Sequence, residues 1–315
     1  MISIIIPCYN CVSTIKRAVD SVLNQKYQHY ELLLVDNRSS DGTIHLLNHY
    51  KERFPEKIRV FHEYKRGAPA ARNKGLSAAR GEWIQFLDAD DELHPEKLSR
   101  QLDLATNSMA GIVIGNYILE WIKGKKRLHL KRPAMSDPWE GLVTSNLGIT
   151  SSNLWKKKDL LEVNGWNERL TSSQEYDLLF RLLKNRSEVV FDEAFYTMVY
   201  HNRNSTSKST DKKKLIQIVR NRINLRREIK EYLILTKQLT ANMNRTIDTY
   251  IYFELKRNSP EIFDYVKEYL KQNQLEVPWN TMIKINSRIA LRKLLYYIQG
   301  IYNSPSEWDL RRNLS

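Results

Sequence analysis

The sequence predicts an α/β protein, with a doubly wound, Rossmann-like sheet that becomes mixed in its second half and a helical carboxy-terminal extension. Three observations carry that prediction. Short apolar β-branched runs alternate with helix-period segments over the first ninety residues, the pattern of a parallel sheet. From about Ile112 longer strands flank Lys123-Gly124-Lys125, a hairpin-like turn that implies a mixed sheet. Beyond the polar stretch Asn202 to Asp211 the periodicity is helical throughout, which divides the chain into a domain at 1–205 and a basic helical region at 206–315.

Each element has a local reason. Ile2 to Ile6 is a continuous apolar run of the kind buried on both faces of a sheet, and Glu31 to Val35 repeats it. Between them, Ile15, Val19, Val22 and Leu23 recur at helical spacing within Ser13 to Leu23. Asp41 suits the start of a helix running from Thr43 to about Phe54, and Ile58 to Phe61 forms a third strand. Pro69 fits the first turn of a helix ending by Gly81, after which Trp83 to Leu87 is the fourth strand. Further on, the pattern predicts a helix over Gln174 to Lys184 and short strands at Glu188 to Phe191 and Phe195 to Tyr200.

Composition narrows the class. With 315 residues, 42% hydrophobic and 27% charged, and a mean hydropathy of −0.54, the chain has enough apolar material for a sizeable core. No run approaches the roughly 18 apolar residues of a membrane span, and the amino terminus opens directly into strand-like MISIIIP. The expected location is therefore cytoplasmic, with any membrane contact peripheral. Cys8 and Cys11 are too few for a disulfide framework or a structural zinc site, and they read as a strand end and a loop residue. The formal charge of +14 calls for an anionic partner, of which nucleic acid, a phosphorylated small molecule and an acidic membrane are the classes to separate.

Ligands of open α/β sheets bind beyond the carboxyl ends of the strands. Polar clusters follow three of those ends here: Tyr9 and Asn10, then Asp36, Asn37 and Arg38, then Asp88, Asp90 and Asp91. Three carboxylates within Asp88-Ala89-Asp90-Asp91 raise one another's pKa unless a cation joins them, and Mg²⁺ or Mn²⁺ with positions open to phosphates would serve. The same residues also suit an acidic helix start before Pro95. The turn Pro7-Cys8-Tyr9-Asn10-Cys11 lacks G-x-G-x-x-G, and no G-x-x-x-x-G-K-[ST] occurs, which argues against dinucleotide and P-loop chemistry. Phosphates would then depend on a metal and on basic groups such as Arg66 and Arg72.

These residues carry a family resemblance. SIIIPCYN, a helix ending SVLNQ, YELLLVDNRSSDGT, GAPAARNKGLSAARGEWIQFLDADDELHP and NGWNERLTSSQEYDLLFRLL occur in the order and spacing of glycosyltransferase family 2. The chain resembles that family over about residues 1–205, in the manner of bacterial cell-surface polysaccharide enzymes.

The resemblance implies a GT-A fold and an inverting, hexosyltransferase-like enzyme that moves a sugar from a nucleotide-diphosphate sugar to an acceptor hydroxyl with Mn²⁺ or Mg²⁺. By position, Pro7, Tyr9, Asn10 and the Asp36-Asn37 pair correspond to the base-binding region, and Arg72 to a basic residue near the nucleotide. Asp88, Ala89 and Asp90 match the D-x-D motif, with Asp90 holding the metal, Asp88 toward the ribose or sugar, and Asp91 a second metal or sugar contact. The catalytic base of the family is the aspartate of a Glu-Asp pair opening a helix. Gln174 and Glu175 stand there in this chain, so Glu175 is the expected base and Asp177 the alternative. Trp166 matches an aromatic of the sugar pocket, and His201 and Arg203 fall in the segment that closes over the diphosphate. Asn37 replaces a usual aspartate, although an amide oxygen still accepts from a uracil imide, so a UDP-sugar is favoured as donor.

Residues 206–315 contain 21 Lys+Arg against 11 Asp+Glu, a balance of +10, so the excess charge lies mostly outside the expected catalytic domain. Lys212 to Lys214, Arg220, Arg222, Arg226 and Arg227 dominate the first helix there. Near the end, Ile283, Leu291, Leu294, Leu295, Ile298 and Ile301 share a helical face flanked by Arg288 and Arg292. Such a face packs on protein or rests on an anionic bilayer, the latter suiting a lipid-linked glycan acceptor. Two rival readings make different predictions: a nucleotidyltransferase would release pyrophosphate, and a basic nucleic-acid-binding protein would need a reader motif, which is absent, and would leave the acidic cluster unexplained.

Overall fold

The computed structural model describes residues 1–123, 126–200 and 211–299. Its first half runs β1 (Ile2–Cys8), α1 (Ile15–Leu23), β2 (Tyr30–Asp36), α2 (Thr43–Arg53), β3 (Ile58–His62), α3 (Ala68–Ala78) and β4 (Trp83–Phe86). Next come β5 (Glu92–Leu93), α4 (Lys97–Ser108), β6 (Ile112–Gly115), β7 (Tyr117–Lys123), β8 (Lys126–Arg132), α5 (Pro138–Thr144), β9 (Leu154–Lys156) and α6 (Lys157–Glu162). The remainder is α7 (Gln174–Lys184), β10 (Val189–Asp192), β11 (Thr197–Tyr200), α8 (Lys212–Leu235), α9 (Ala241–Asn258), α10 (Phe263–Gln272) and α11 (Trp279–Gln299).

Seven strands form the main sheet in the order β10-β6-β9-β4-β1-β2-β3, all parallel to one another except β9. The chain winds from β1 outward through β2 to β3 and then crosses back to place β4 on the other side of β1. That reversal opens a crevice at the carboxyl ends of β1 and β4, where a doubly wound sheet takes its ligand. Ile2, Ile4, Ile5 and Ile6 are fully buried because helices cover both faces, which is why the run reads as continuously apolar. α3 lies close to β1: a Cβ on Gly75 would fall 2.4 Å from Ile5 Cγ2. Glycine there lets the helix approach, and brings Arg72, one turn earlier, to the crevice.

The hairpin expected around residue 124 joins β7 and β8, but it does not extend the main sheet. It belongs to a second, four-stranded sheet ordered β5-β11-β7-β8. The mixed character of the main sheet comes instead from β9, a three-residue strand too short for its alternation to register in the sequence.

The chain packs as two units, one of residues 1–136 and 147–200 and the other of 137–146 and 211–299. In the second unit α5 joins helices α8 to α11, so a boundary at 205 alone omits a segment. Arg226, 1% exposed, donates to the carbonyls of Val143 and Leu142 at the end of α5 and stacks over Tyr250. Glu254 is fully buried between Arg222 and Arg257 at 2.9 and 3.4 Å, and Asp248 pairs with Lys230 at 3.0 Å. Several of the cations that made α8 look like a charged surface are therefore internal ties. α11 also differs from its sequence reading, because Met282, Ile285 and Ile289 pack against Tyr252 and Phe253 of α9 while Ile283 and Leu291 are exposed. The other apolar members of the expected face, Leu294, Leu295, Ile298 and Ile301, lie outside the described side chains.

Candidate active site

The crevice is built from four loops. After β1, Tyr9 is 54% exposed and Asn10 adopts φ 46°, its Oδ1 accepting from Ser40 N at 2.8 Å. Cys11 N donates to Thr43 Oγ1 at 2.9 Å, so the loops after β1 and β2 are sewn together. Cys8 closes β1, and both cysteines are buried and free. Asp36 ends β2, buried, and accepts from Ser39 N at 3.3 Å.

Asn37 has internal partners for its whole amide. Its Nδ2 donates to Glu63 O and Lys65 O at 2.9 and 2.8 Å, and its Oδ1 accepts from Gly67 N at 2.8 Å. The amide is thus a strut for the loop between β3 and α3, with both donor hydrogens engaged inside the protein. An aspartate would set an acceptor oxygen against both carbonyls in place of the donating Nδ2, which favours an amide at this position.

Arg72, 6% exposed on α3, donates from Nη2 to Asp88 Oδ1 at 2.6 Å and lies 4.5 Å over the Trp166 ring. Arg66 is exposed. Trp166 is 2% exposed and meets Phe86 edge to face at 5.1 Å, while Asn73 holds its backbone through Asn73 Nδ2 to O and its N–H to Asn73 Oδ1. The indole expected to stack on a sugar is buried here, with the Arg72 guanidinium over its ring and Phe86 packed against it. Pro7 is half-buried at the strand end, and Ala89 is buried between the two aspartates.

The three carboxylates after β4 are held differently. Asp88 pairs with Arg72. Asp91, 3% exposed, accepts from Ser151 Oγ at 2.6 Å, and the same oxygen accepts from Asp88 N at 3.1 Å. Burial raises the Asp91 pKa well above the ordinary range, with Asp88 and Asp90 adding to it. Asp90 is raised too, by burial and then by Asp88, and its carboxylate is left with its own backbone N–H as donor. Arg17 fixes Asp90 through its carbonyl oxygen and lies 3.5 Å over the Tyr200 ring. Asp91, enclosed against Ser151, acts as a prop for the motif, whereas Asp90 is the carboxylate free to meet a cation.

Among the described residues no three His, Cys, Asp or Glu side chains converge as a ready cage for a metal. A Mg²⁺- or Mn²⁺-type ion carried on a diphosphate needs only one or two carboxylates from the protein, its other positions going to phosphate and water. Crowded hard-oxygen donors suit such an ion, which Asp90, its pKa raised by burial, would hold with Asp88 beside it.

Glu175 lies in the first turn of α7. Its Oε1 is buried and lacks a hydrogen-bond partner. Burial pushes its pKa up to about 8, Asp88 adding to the rise while Arg72 and a hydrogen bond from Thr150 oppose it. Asp177 is committed elsewhere, taking Arg181 Nε and Nη2 on one oxygen at 3.0 and 2.7 Å, and Arg181 in turn holds Val163 O and Gly165 O. Gln174 donates to Leu170 O at 2.9 Å. The geometry thus separates Glu175, electrostatically linked to Asp88 and Arg72, from Asp177, a brace for the preceding loop. His201 and Arg203 lie outside the described residues.

Several contributors escaped the sequence reading. Thr150-Ser151-Ser152-Asn153 is a wholly buried polar run, and beneath it Lys97, fully buried, donates to Gln85 and Gln101, which donate to Ser151 O and Ser152 O. Burial brings the Lys97 ammonium down to about 7. Small polar residues ordinarily signal turns, so nothing local marks this run as the floor of the site.

Comparison with known proteins agrees with this arrangement. The Glycosyl transferase family 2 pattern matches residues 3–164. TuaG of Bacillus subtilis, named a candidate teichuronic acid biosynthesis glycosyltransferase, is 38% identical over 120 residues, covering 38% of this chain and 47% of that protein. WfaP of Escherichia coli, named UDP-Glc:alpha-D-GlcNAc-diphosphoundecaprenol beta-1,3-glucosyltransferase, is 36% identical over 120 residues with the same coverage. The chain spans about half or less of the length of the curated relatives it matches most strongly. Among solved structures, the mannosyltransferase PcManGT from Pyrobaculum calidifontis, in complex with GDP-Man and Mn²⁺, has a TM-score of 0.60 at 14% identity, covering 99% of this chain and 84% of that one. TarS 1–349 of S. aureus with UDP-GlcNAc has a TM-score of 0.58 at 14% identity, covering 96% and 93%. The fold is thus that of the GT-A enzymes.

Proposed function

The chain belongs to glycosyl transferase family 2, and from that premise we propose that it is an inverting glycosyltransferase, moving a sugar from a nucleotide-diphosphate sugar to an acceptor hydroxyl. The observation that carries the mechanism is Glu175, whose Oε1 is buried without a partner and which is electrostatically linked to Asp88 and Arg72. A base needs an oxygen open to the proton it takes: Glu175 keeps Oε1 unpartnered, whereas Asp177 is held in an ion pair by Arg181. Glu175 takes the proton of the acceptor hydroxyl at that oxygen, and a single displacement on the sugar inverts its anomeric carbon.

Departure of a nucleoside diphosphate requires its growing negative charge to be neutralised. Mn²⁺ or Mg²⁺, held by Asp90 with Asp88 alongside, would supply that neutralisation. Arg72 orients Asp88 and limits the field that Asp88 exerts on Glu175. Tyr9 and Asp36 lie where the nucleoside enters. The donor is proposed to be a UDP-sugar, as supported by the UDP-GlcNAc and UDP-Glc named for TarS and WfaP; the GDP-Man of PcManGT makes a guanine nucleotide the contrast to test. A lipid-linked glycan acceptor, as named for WfaP, would place the protein peripherally at the inner face of a membrane.

Incubation with Mn²⁺ and a panel of UDP- and GDP-sugars, reading released nucleoside diphosphate, tests the reaction. Glu175→Gln should lower turnover by about 10²- to 10⁴-fold with donor affinity nearly unchanged. Retained turnover would remove Glu175 from the role, and pyrophosphate release from a nucleoside triphosphate would replace the reaction class.

A further inference from the structure

α11 carries apolar side chains on two faces. Met282, Ile285 and Ile289 pack into the cluster formed with Tyr252, Phe253, Val277 and Leu275. At roughly 100° per residue, Ile283 and Leu291 lie about 130° and about 150° around the helix from the centre of that packed face, and Trp279 lies on the flank between it and Ile283. Trp279, Ile283 and Leu291 are 76%, 45% and 56% exposed. An amphipathic helix serving only its own core would place polar residues there.

The charges carried by the helix itself have one sign, with the exposed Glu276 preceding it. From Val277 to Ser306 the sequence contains Lys284, Arg288, Arg292 and Lys293 and no Asp or Glu. Lys284, exposed, borders Ile283 directly. A second copy of the chain would bring an identical cationic face against this one, and like charges at a two-fold contact repel. An anionic surface that also accepts apolar side chains satisfies both features. Among the described residues no helix is long and apolar enough to cross a membrane, so an embedded α11 lies in the interfacial plane.

We propose that the outer face of α11 docks on an anionic lipid bilayer, with Trp279, Ile283 and Leu291 entering the interface and Lys284 and Arg288 meeting lipid phosphates. Tryptophan suits the headgroup level because its ring is apolar and its N–H is polar. The surface deepens the membrane location in the proposed function, but it rests on the helix alone.

Co-sedimentation of the full chain with phosphatidylglycerol-containing vesicles and with pure phosphatidylcholine vesicles tests it. Binding should be confined to the anionic vesicles and weaken as salt rises. The triple variant W279S/I283S/L291S alters only exposed side chains, and should lower the bound fraction about tenfold while nucleotide release and circular dichroism stay unchanged. Unchanged binding by that variant, or equal binding to both vesicle types, overturns the proposal. So does a concentration-dependent dimer, measured by light scattering, that the same variant abolishes. Absence of nucleotide release from the unaltered chain would instead count against the transferase reading, and leaves the vesicle result readable.

Discussion

A carboxyl group whose pKa is about 8 in the folded chain changes both reactivity and stability, and Glu175 is that group here. In the unfolded chain it ionises near its ordinary 4.5, while in the folded protein it keeps its proton to about 8. Between those values the unfolded state binds fewer protons, so stability falls as pH rises from about 4.5 to 8 and then levels off. Glu175→Gln removes that penalty. In metal-free buffer the variant should therefore melt together with the wild type near pH 5 and be more stable at pH 8, by an order of 4 kcal/mol at most. Thermal denaturation at the two pH values decides it, and equal melting at both contradicts the raised pKa. As a base, Glu175 must be unprotonated, so kcat/KM should climb with pH toward 8. A site that gains stability when its base is neutralised is one in which reactivity opposes folding.

Among the elements, the loops at the carboxyl ends of the strands matter more than the strands themselves. Asn37 shows why: it stands in a predicted binding motif, yet its amide joins Glu63, Lys65 and Gly67. Asn37→Asp would turn two hydrogen bonds into repulsions with part-buried carbonyls, at about 1–3 kcal/mol. The expected outcome is a lower melting temperature and weaker nucleotide binding, by calorimetry against UDP with Mn²⁺; tighter binding with unchanged melting would restore Asn37 to a direct contact. Element spacing was well marked in the sequence, and α7 begins and ends at Gln174 and Lys184 as its periodicity predicts. What the pattern did not carry was which polar residues face inward. Ser151 bridges Asp88 and Asp91 from some sixty residues away, a relation that only the pairing of β4 with β9 creates.

For the whole molecule, the +14 charge divides into parts with different work. The acidic cluster sits in the sheet unit. Much of the basic excess is in the helical unit, where Arg222, Arg226 and Arg257 are tied to internal partners and α11 presents an uncompensated face. Glu254→Ala would leave two arginines facing each other inside the helices, and breaking such a buried pair costs about 3–5 kcal/mol. A drop of several degrees in the melting of that unit is expected; a melt unchanged from the wild type would mean the arginines find other partners.

The order of strands and helices from β1 to β4, the acidic motif after the fourth strand and the helical character of the last third were determined by the sequence alone, because hydrophobic period and local residue chemistry are short-range properties. The separate second sheet, the recruitment of α5 into the helical unit, the burial of Trp166 and Asp91, the different partners of Glu175 and Asp177 and the exposed face of α11 were decided only by the tertiary structure. Each depends on a partner distant in the chain, and a side chain's hydrogen bonds, burial and pKa are set by that partner rather than by its neighbours in sequence.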